Sequence, residues 1–409
     1  MSAPSTLDTA QQDPPPTDTA SLRGYLGQNL WQYGMMAVLA AIVLIFQILT
    51  DGRLLYPDNV AALVQQNAYV LILAIGMVMV IVAQHIDLSV GSVVAFIGGY
   101  CALMITDWHW PWPVAVIVAI AIGAVVGCWQ GFWIAYVGIP AFIVTLGGML
   151  VFRGLAVLAV SRTVPVQDEG FGAIAAKSLP NVLGYVGHLD GMTVLVGCVA
   201  IGGLITSQVR SRRELIRYEL RLEPRAAFVG KLVVFSALTA YITYLLAEST
   251  DGTPNVLIIV GALVVLYSYV MGNTVFGRHI YAMGGNLAAA KLSGVKTQRV
   301  NFLIFVNMGV LAGIAAVVTT SRAGAGVANA GTNYELDAIA AAFIGGTAVT
   351  GGIGKVTGAV IGALIMGVLN MGLSILGKDA AWQLTIKGLV LIIAVAFDIV
   401  SKRLANSSQ

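Results

Sequence analysis

A chain of 409 residues that is 58% hydrophobic and only 10% charged falls far below the ~25% charge of a soluble domain, and a mean hydropathy of +0.87 excludes burial of that surface in one aqueous core. In lipid every backbone polar group must find a partner inside the protein, and the long apolar runs lack the alternation of an outer-membrane barrel. An all-α integral membrane protein is therefore expected, and the net charge of +3 says less than its distribution along the chain.

Residues 1–30 open with a stretch rich in Ser, Thr, Gln, Asp and Pro, including Pro14-Pro15-Pro16, and read as a disordered cytoplasmic leader. It lacks the basic start of a secretory signal, so the first apolar run is read as a retained span. Apolar runs long enough to cross ~30 Å of hydrocarbon then recur over residues 33–50, 60–83, 92–106, 114–137, 141–160, 192–208, 230–247, 256–271, 302–320, 337–349, 357–376 and 382–399. This predicts one transmembrane domain over 31–409 with about twelve helices. The segments 92–106 and 337–349 are short and border Gly-rich or polar turns, which marks them as broken or half-length helices.

With both termini in the cytoplasm, fifteen Lys and Arg fall in inside loops against five outside, the bias of the positive-inside rule. The densest group forms a basic insert over 209–229. Trp31, the Trp108-His109-Trp110-Pro111-Trp112 turn and Trp382 stand at span ends, where indoles favour the headgroup layer. Gly123, Gly127 and Gly131 repeat every four residues, as do Gly309 with Gly313 and Gly358 with Gly362, the spacing of close helix–helix approach. Cys101, Cys128 and Cys198 sit in apolar stretches without ligand spacing and read as small buried apolar residues.

No enzyme signature is present. Gly352-Ile353-Gly354-Lys355-Val356 resembles a phosphate loop but lacks its upstream glycine and the Ser or Thr after the lysine. The four histidines are too scattered for a metal site. No catalytic, metal or cofactor site is expected in this chain, and any ATP is bound elsewhere.

Three stretches carry candidate function. In Ile86–Ser92, Asp87 lies where one helix ends and another begins. Asp87 and Ser89 either cap the next helix or, with Ser92, serve as substrate contacts or a hinge. Over residues 334–354, Glu335 and Asp337 precede a half-length helix, Thr347 follows it, and five glycines loosen the backbone. That is either a re-entrant structural turn or an element of a pathway. The segment 272–300 joins two short helix-forming pieces through Gly284-Gly285-Asn286. Arg278, Ala288, Ala289, Ala290, Lys291, Ser293 and Gly294 give it a small, partly basic face suited to docking on a soluble motor, the other reading being an ordinary surface loop. Arg153 lies within a span and is expected to face the bundle interior, in a structural ion pair or as a partner for substrate hydroxyls.

Together these stretches resemble the permease subunits of bacterial monosaccharide ABC importers, the group of the ribose, arabinose, galactose and xylose systems, from about Leu55 to the C-terminus. Trp129–Tyr136, Pro140–Leu146 and the insert around Arg210–Arg225 most resemble the D-xylose permeases. Gln84-His85 departs from the small residues common in the group. The resemblance implies a type II ABC importer permease fold in the inner membrane, a homodimer with the pathway between its copies, a cytoplasmic ATPase that binds ATP and Mg, a periplasmic sugar-binding protein, surrounding lipid and no nucleic acid. The rival readings are an ion-coupled secondary transporter, which needs a relay of buried acids or histidines, and a branched-chain amino acid ABC permease.

Overall fold

The structure is a computed structural model that describes residues 30–218 and 222–407. The predicted leader lies outside the described residues except at Leu30, as do the side chain of Trp31 and residues 219–221 of the predicted basic insert.

The helices follow the apolar runs: α1 Leu30–Leu49, α2 Pro57–Val82, α3 Val90–Thr106, α4 Trp112–Phe132, α5 Ala141–Ala159, α6 Gly191–Arg217, α7 Arg225–Glu248, α8 Asn255–Asn273, α9 Val275–Gly285, α10 Leu287–Leu292, α11 Thr297–Ala323, α12 Tyr334–Ile344, α13 Val356–Ile375 and α14 Ala380–Ser407. Among the described residues eight are long and apolar enough to cross a membrane, and α3 and the apolar parts of α1 and α14 are shorter. The protein is an all-α integral membrane permease. At ~1.5 Å per residue, the 11 residues of α12 reach only about half the hydrocarbon thickness. This helix also ends at Ile344, before the expected Val349, because residues 345–355 turn irregularly with Gly346, Gly351 and Gly352 in left-handed conformation.

By internal contacts, the described residues fall into two units, one of residues 32–196 with 242–407 and the other of residues 197–218 with 222–241. In the first unit α2 is central. Pro57 starts it from an extended Tyr56, where proline's missing N–H costs nothing. From Val70 to Val82 nearly every side chain is buried, as expected of a helix apolar on all sides, and α8, α11, α12 and α13 pack around it.

The predicted glycine spacings meet one another. A Cβ on Gly123 would overlap the Gly309 carbonyl, one on Gly127 the Phe305 carbonyl, and one on Gly313 would stand 3.0 Å from Ile120 Cα. So α4 and α11 approach backbone to backbone, as small residues allow in lipid. Gly358 and Gly362 do the same against Gly345 and Ala341, clamping α12 onto α13.

Among the described residues four short strands carry no sequence signal. Val164–Pro165 pairs antiparallel with Ala325–Gly326, and Tyr185–Val186 pairs with Leu189–Asp190. The first pair clasps the loop after α5 to the loop before α12. Of the three cysteines, Cys101 is buried, Cys128 half-buried and Cys198 exposed, so the apolar reading of Cys198 is corrected from core to surface. In the second unit, residues 210–217 continue α6 and Arg225 opens α7, so most of the basic insert extends two spans and is not a loop.

Candidate functional site

The break between α2 and α3 meets the coupling segment and the Gly-rich turn in one node. Gln84, just past the C-cap Ala83 of α2, adopts a left-handed backbone, φ 65°, with its N–H donating to the Ile81 carbonyl at 2.9 Å. Its Nε2 donates to the carbonyls of Gly284, 2.9 Å, and Thr350, 2.8 Å. Gly352 N–H donates to the Val82 carbonyl at 2.9 Å, and the Tyr281 hydroxyl to the Gly354 carbonyl at 2.6 Å. A Cβ on Gly284 would overlap the Val82 carbonyl, so this glycine is required by contact. Thr347 is buried against Gly354. Two stretches singled out separately in the sequence, 272–300 and 334–354, thus share one hydrogen-bonded joint with the end of α2. Gln84, which reads in the sequence only as a departure from a small residue, is its hub.

A second node surrounds Asp87. Its carboxylate accepts from Ser89 N–H, 2.8 Å, and Ser89 Oγ, 2.6 Å, and Gln130 Nε2 donates to Ser89 Oγ at 2.7 Å. Ser89 is the N-cap of α3 without a side-chain cap bond, so the acid braces the turn before the helix and does not cap its first N–H groups. Gly91, beside the buried Ser92, packs against Gly331 and the Glu335 carboxyl. Arg153 donates to the carbonyls of Ala328, 3.0 Å, and Ala330, 2.8 Å, in the loop that leads to Glu335. Its hydrogen-bond partners are therefore backbone carbonyls and not the carboxylate of the expected ion pair.

Asp337 belongs to a third group. Lys387 on α14 pairs with it at 3.0 Å, with side chains only 16% and 6% exposed. The Tyr69 hydroxyl donates to the same carboxylate at 2.8 Å, and the Tyr69 ring stacks on Tyr334 at 3.5 Å. No sequence signal marks the partner, since 50 residues of chain separate Asp337 from Lys387.

Asp87, Ser89, Ser92, Glu335, Asp337 and Thr347 are all buried. Within one chain they sit between packed helices, and only Arg153 is half-exposed. The predicted coupling residues also divide. Arg278, Gly285, Asn286, Ala288, Ala289, Lys291, Ser293 and Gly294 are exposed, whereas Gly284 and Ala290 face inward. Asn286 caps α10 by accepting from Ala289 N–H at 3.0 Å. Leu292, absent from the predicted set, is 90% exposed at the tip of α10; an apolar side chain beside three alanines carries no distinctive signal. A hollow next to it is lined by Tyr136, Lys291, Lys296 and Arg299.

Residues 59–395 match the family model described as branched-chain amino acid transport system / permease component. The chain is 38% identical to the xylose transport system permease protein XylH of Haemophilus influenzae, over 92% of this chain and 98% of that protein. It is 37% identical to XylH of Escherichia coli, over 93% and 94%, and 31% identical to the ribose import permease protein RbsC of Escherichia coli, over 93% and 98%. No solved structure matches it. With some nine-tenths of its length aligned to such permeases and its apolar helices arranged as above, the chain belongs to the branched-chain amino acid transport system permease family.

Proposed function

We propose that this chain is the membrane permease of an ATP-driven ABC importer that carries a monosaccharide, D-xylose or a related pentose, across the bacterial inner membrane. The observation that carries the substrate class is the higher identity to xylose than to ribose permeases over nearly whole chains.

The permease works as a homodimer with the route between its copies. The buried breaks at Ile86–Ser92 and Glu335–Gly354 act as hinges that admit the route when they move. A separate ATPase binds ATP and Mg and docks on the exposed face of α10 and the basic hollow beside it, and a sugar-binding protein delivers substrate on the opposite face. Specificity then resides in the binding protein, since a tight site in the membrane would slow release. Purified permease alone is expected to bind D-xylose only in the millimolar range, about −4 kcal/mol. Micromolar binding by calorimetry would point to a transporter with its own site.

Both termini face the cytoplasm in this reading, from the distribution of Lys and Arg. In a Cys198→Ser background, an impermeant thiol reagent on whole cells is expected to label His188→Cys, on an exposed hairpin, and to spare Ser211→Cys. The reverse pattern would invert the orientation. Ser178 is a poorer probe because it is half-buried and bridged to Pro254.

A further inference from the structure

The basic extension of α6 has no part in the function above. From Gly191, α6 runs without a charged residue, and largely apolar as far as Ile205, to Val209 before its first basic residue, Arg210. Twenty residues of helix span ~30 Å, so Arg210 falls where hydrocarbon gives way to headgroups. Arg210, Arg213 and Arg217 then follow at helical spacing, which sets them on one face. All three are exposed, as is Arg225 at the start of α7. Among the described residues none of the four has a carboxylate within ion-pair distance; the one ion pair of this segment joins Lys231 to Glu223 at 2.8 Å. Glu214 shares the α6 face, which leaves it a net positive charge. Arg212 points elsewhere, over the Phe228 ring at 4.5 Å. Large apolar side chains flank the stripe in the open, with Ile216 54%, Tyr218 67% and Val229 54% exposed.

We propose that Arg210, Arg213, Arg217 and Arg225 form a binding site for the phosphate headgroups of anionic phospholipids. Charge complementarity and the position at the end of a membrane-length helix select this occupant. Arginine suits it because the guanidinium fork bonds two phosphate oxygens at once, while Ile216, Tyr218 and Val229 offer acyl chains an apolar neighbour. Basic residues at a membrane surface each strengthen binding to anionic lipid by about fivefold.

The test titrates full-length permease in neutral detergent with phosphatidylglycerol or phosphatidylcholine and follows thermal melting. Phosphatidylglycerol is expected to raise the melting temperature, and phosphatidylcholine is not. In the Arg210→Gln/Arg213→Gln/Arg217→Gln variant the phosphatidylglycerol midpoint is expected to rise roughly 100-fold, while Lys378→Gln, at an exposed loop elsewhere, keeps the wild-type midpoint. Should the triple variant fail to fold, Arg213→Gln alone is expected to shift the midpoint about fivefold. An unchanged midpoint in the variants would overturn the proposal. So would equal stabilisation by inorganic phosphate, or loss of ATPase association in the triple variant with the lipid response intact, which would make the face a protein-docking surface.

Discussion

Replacing Lys387 with methionine is expected to destabilise the folded permease by about 3–5 kcal/mol, the cost of leaving one member of a buried ion pair without its partner. Methionine matches the length of the lysine stem, so packing is largely kept and the charge is what is lost. Asp337, 6% exposed in its side chain, then retains only the Tyr69 hydroxyl at 2.8 Å. Because Asp337 opens α12 and Lys387 lies on α14, the loss is felt as loosening of the half-length helix. The double variant Lys387→Met/Asp337→Asn removes both charges and leaves the asparagine amide to Tyr69. It is expected to recover most of the melting temperature in detergent, since replacing a whole buried pair is often near neutral. Equal destabilisation by the single and double variants would show that packing, not the charge, holds α14 to α12.

Tryptophan at Ala289 is expected to reduce ATP-driven uptake at least tenfold while membrane insertion and melting stay close to wild type. Ala289 is exposed on α10, beside the 90% exposed Leu292, and a bulky ring there obstructs a partner without disturbing the permease. Leu292→Asp puts a charge where a partner would cover an apolar tip, and a loss of about 2 kcal/mol, the threshold of an interface hot spot, weakens ATPase association about 30-fold. The neighbouring Ala290 is buried, and Ala290→Trp should instead lower the melting temperature through overpacking. Gln84→Ala separates docking from transmission. It frees the carbonyls of Gly284 and Thr350, and should leave ATPase association intact while uptake falls. Normal uptake in both Ala289→Trp and Gln84→Ala would remove the coupling role from this segment.

The spans were legible because lipid forces long apolar helices, and each of the twelve apolar runs corresponds to a helix or, at α12, a half-length one. The close approach of Gly123 and Gly127 to Gly309 was legible as spacing, although spacing alone does not name the partner helix. What the sequence concealed depends on which faces meet. The Asp337–Lys387 pair joins distant segments, the Val164–Pro165 ladder is too short for any periodicity, and the inward turn of Ala290 among exposed alanines follows from a single helical turn. Gln84 was hidden for another reason: its function lies in its backbone conformation and in two carbonyls that any residue supplies.

The central claim is tested most directly by uptake of labelled D-xylose into proteoliposomes that hold this permease with its ATPase, with the sugar-binding protein on the side from which sugar is taken up and ATP supplied to the ATPase. Uptake is expected to require all three proteins and ATP and to persist when an uncoupler collapses the proton gradient. Uptake by the permease alone that stops on collapse of the gradient would contradict the account and make the chain an ion-coupled transporter.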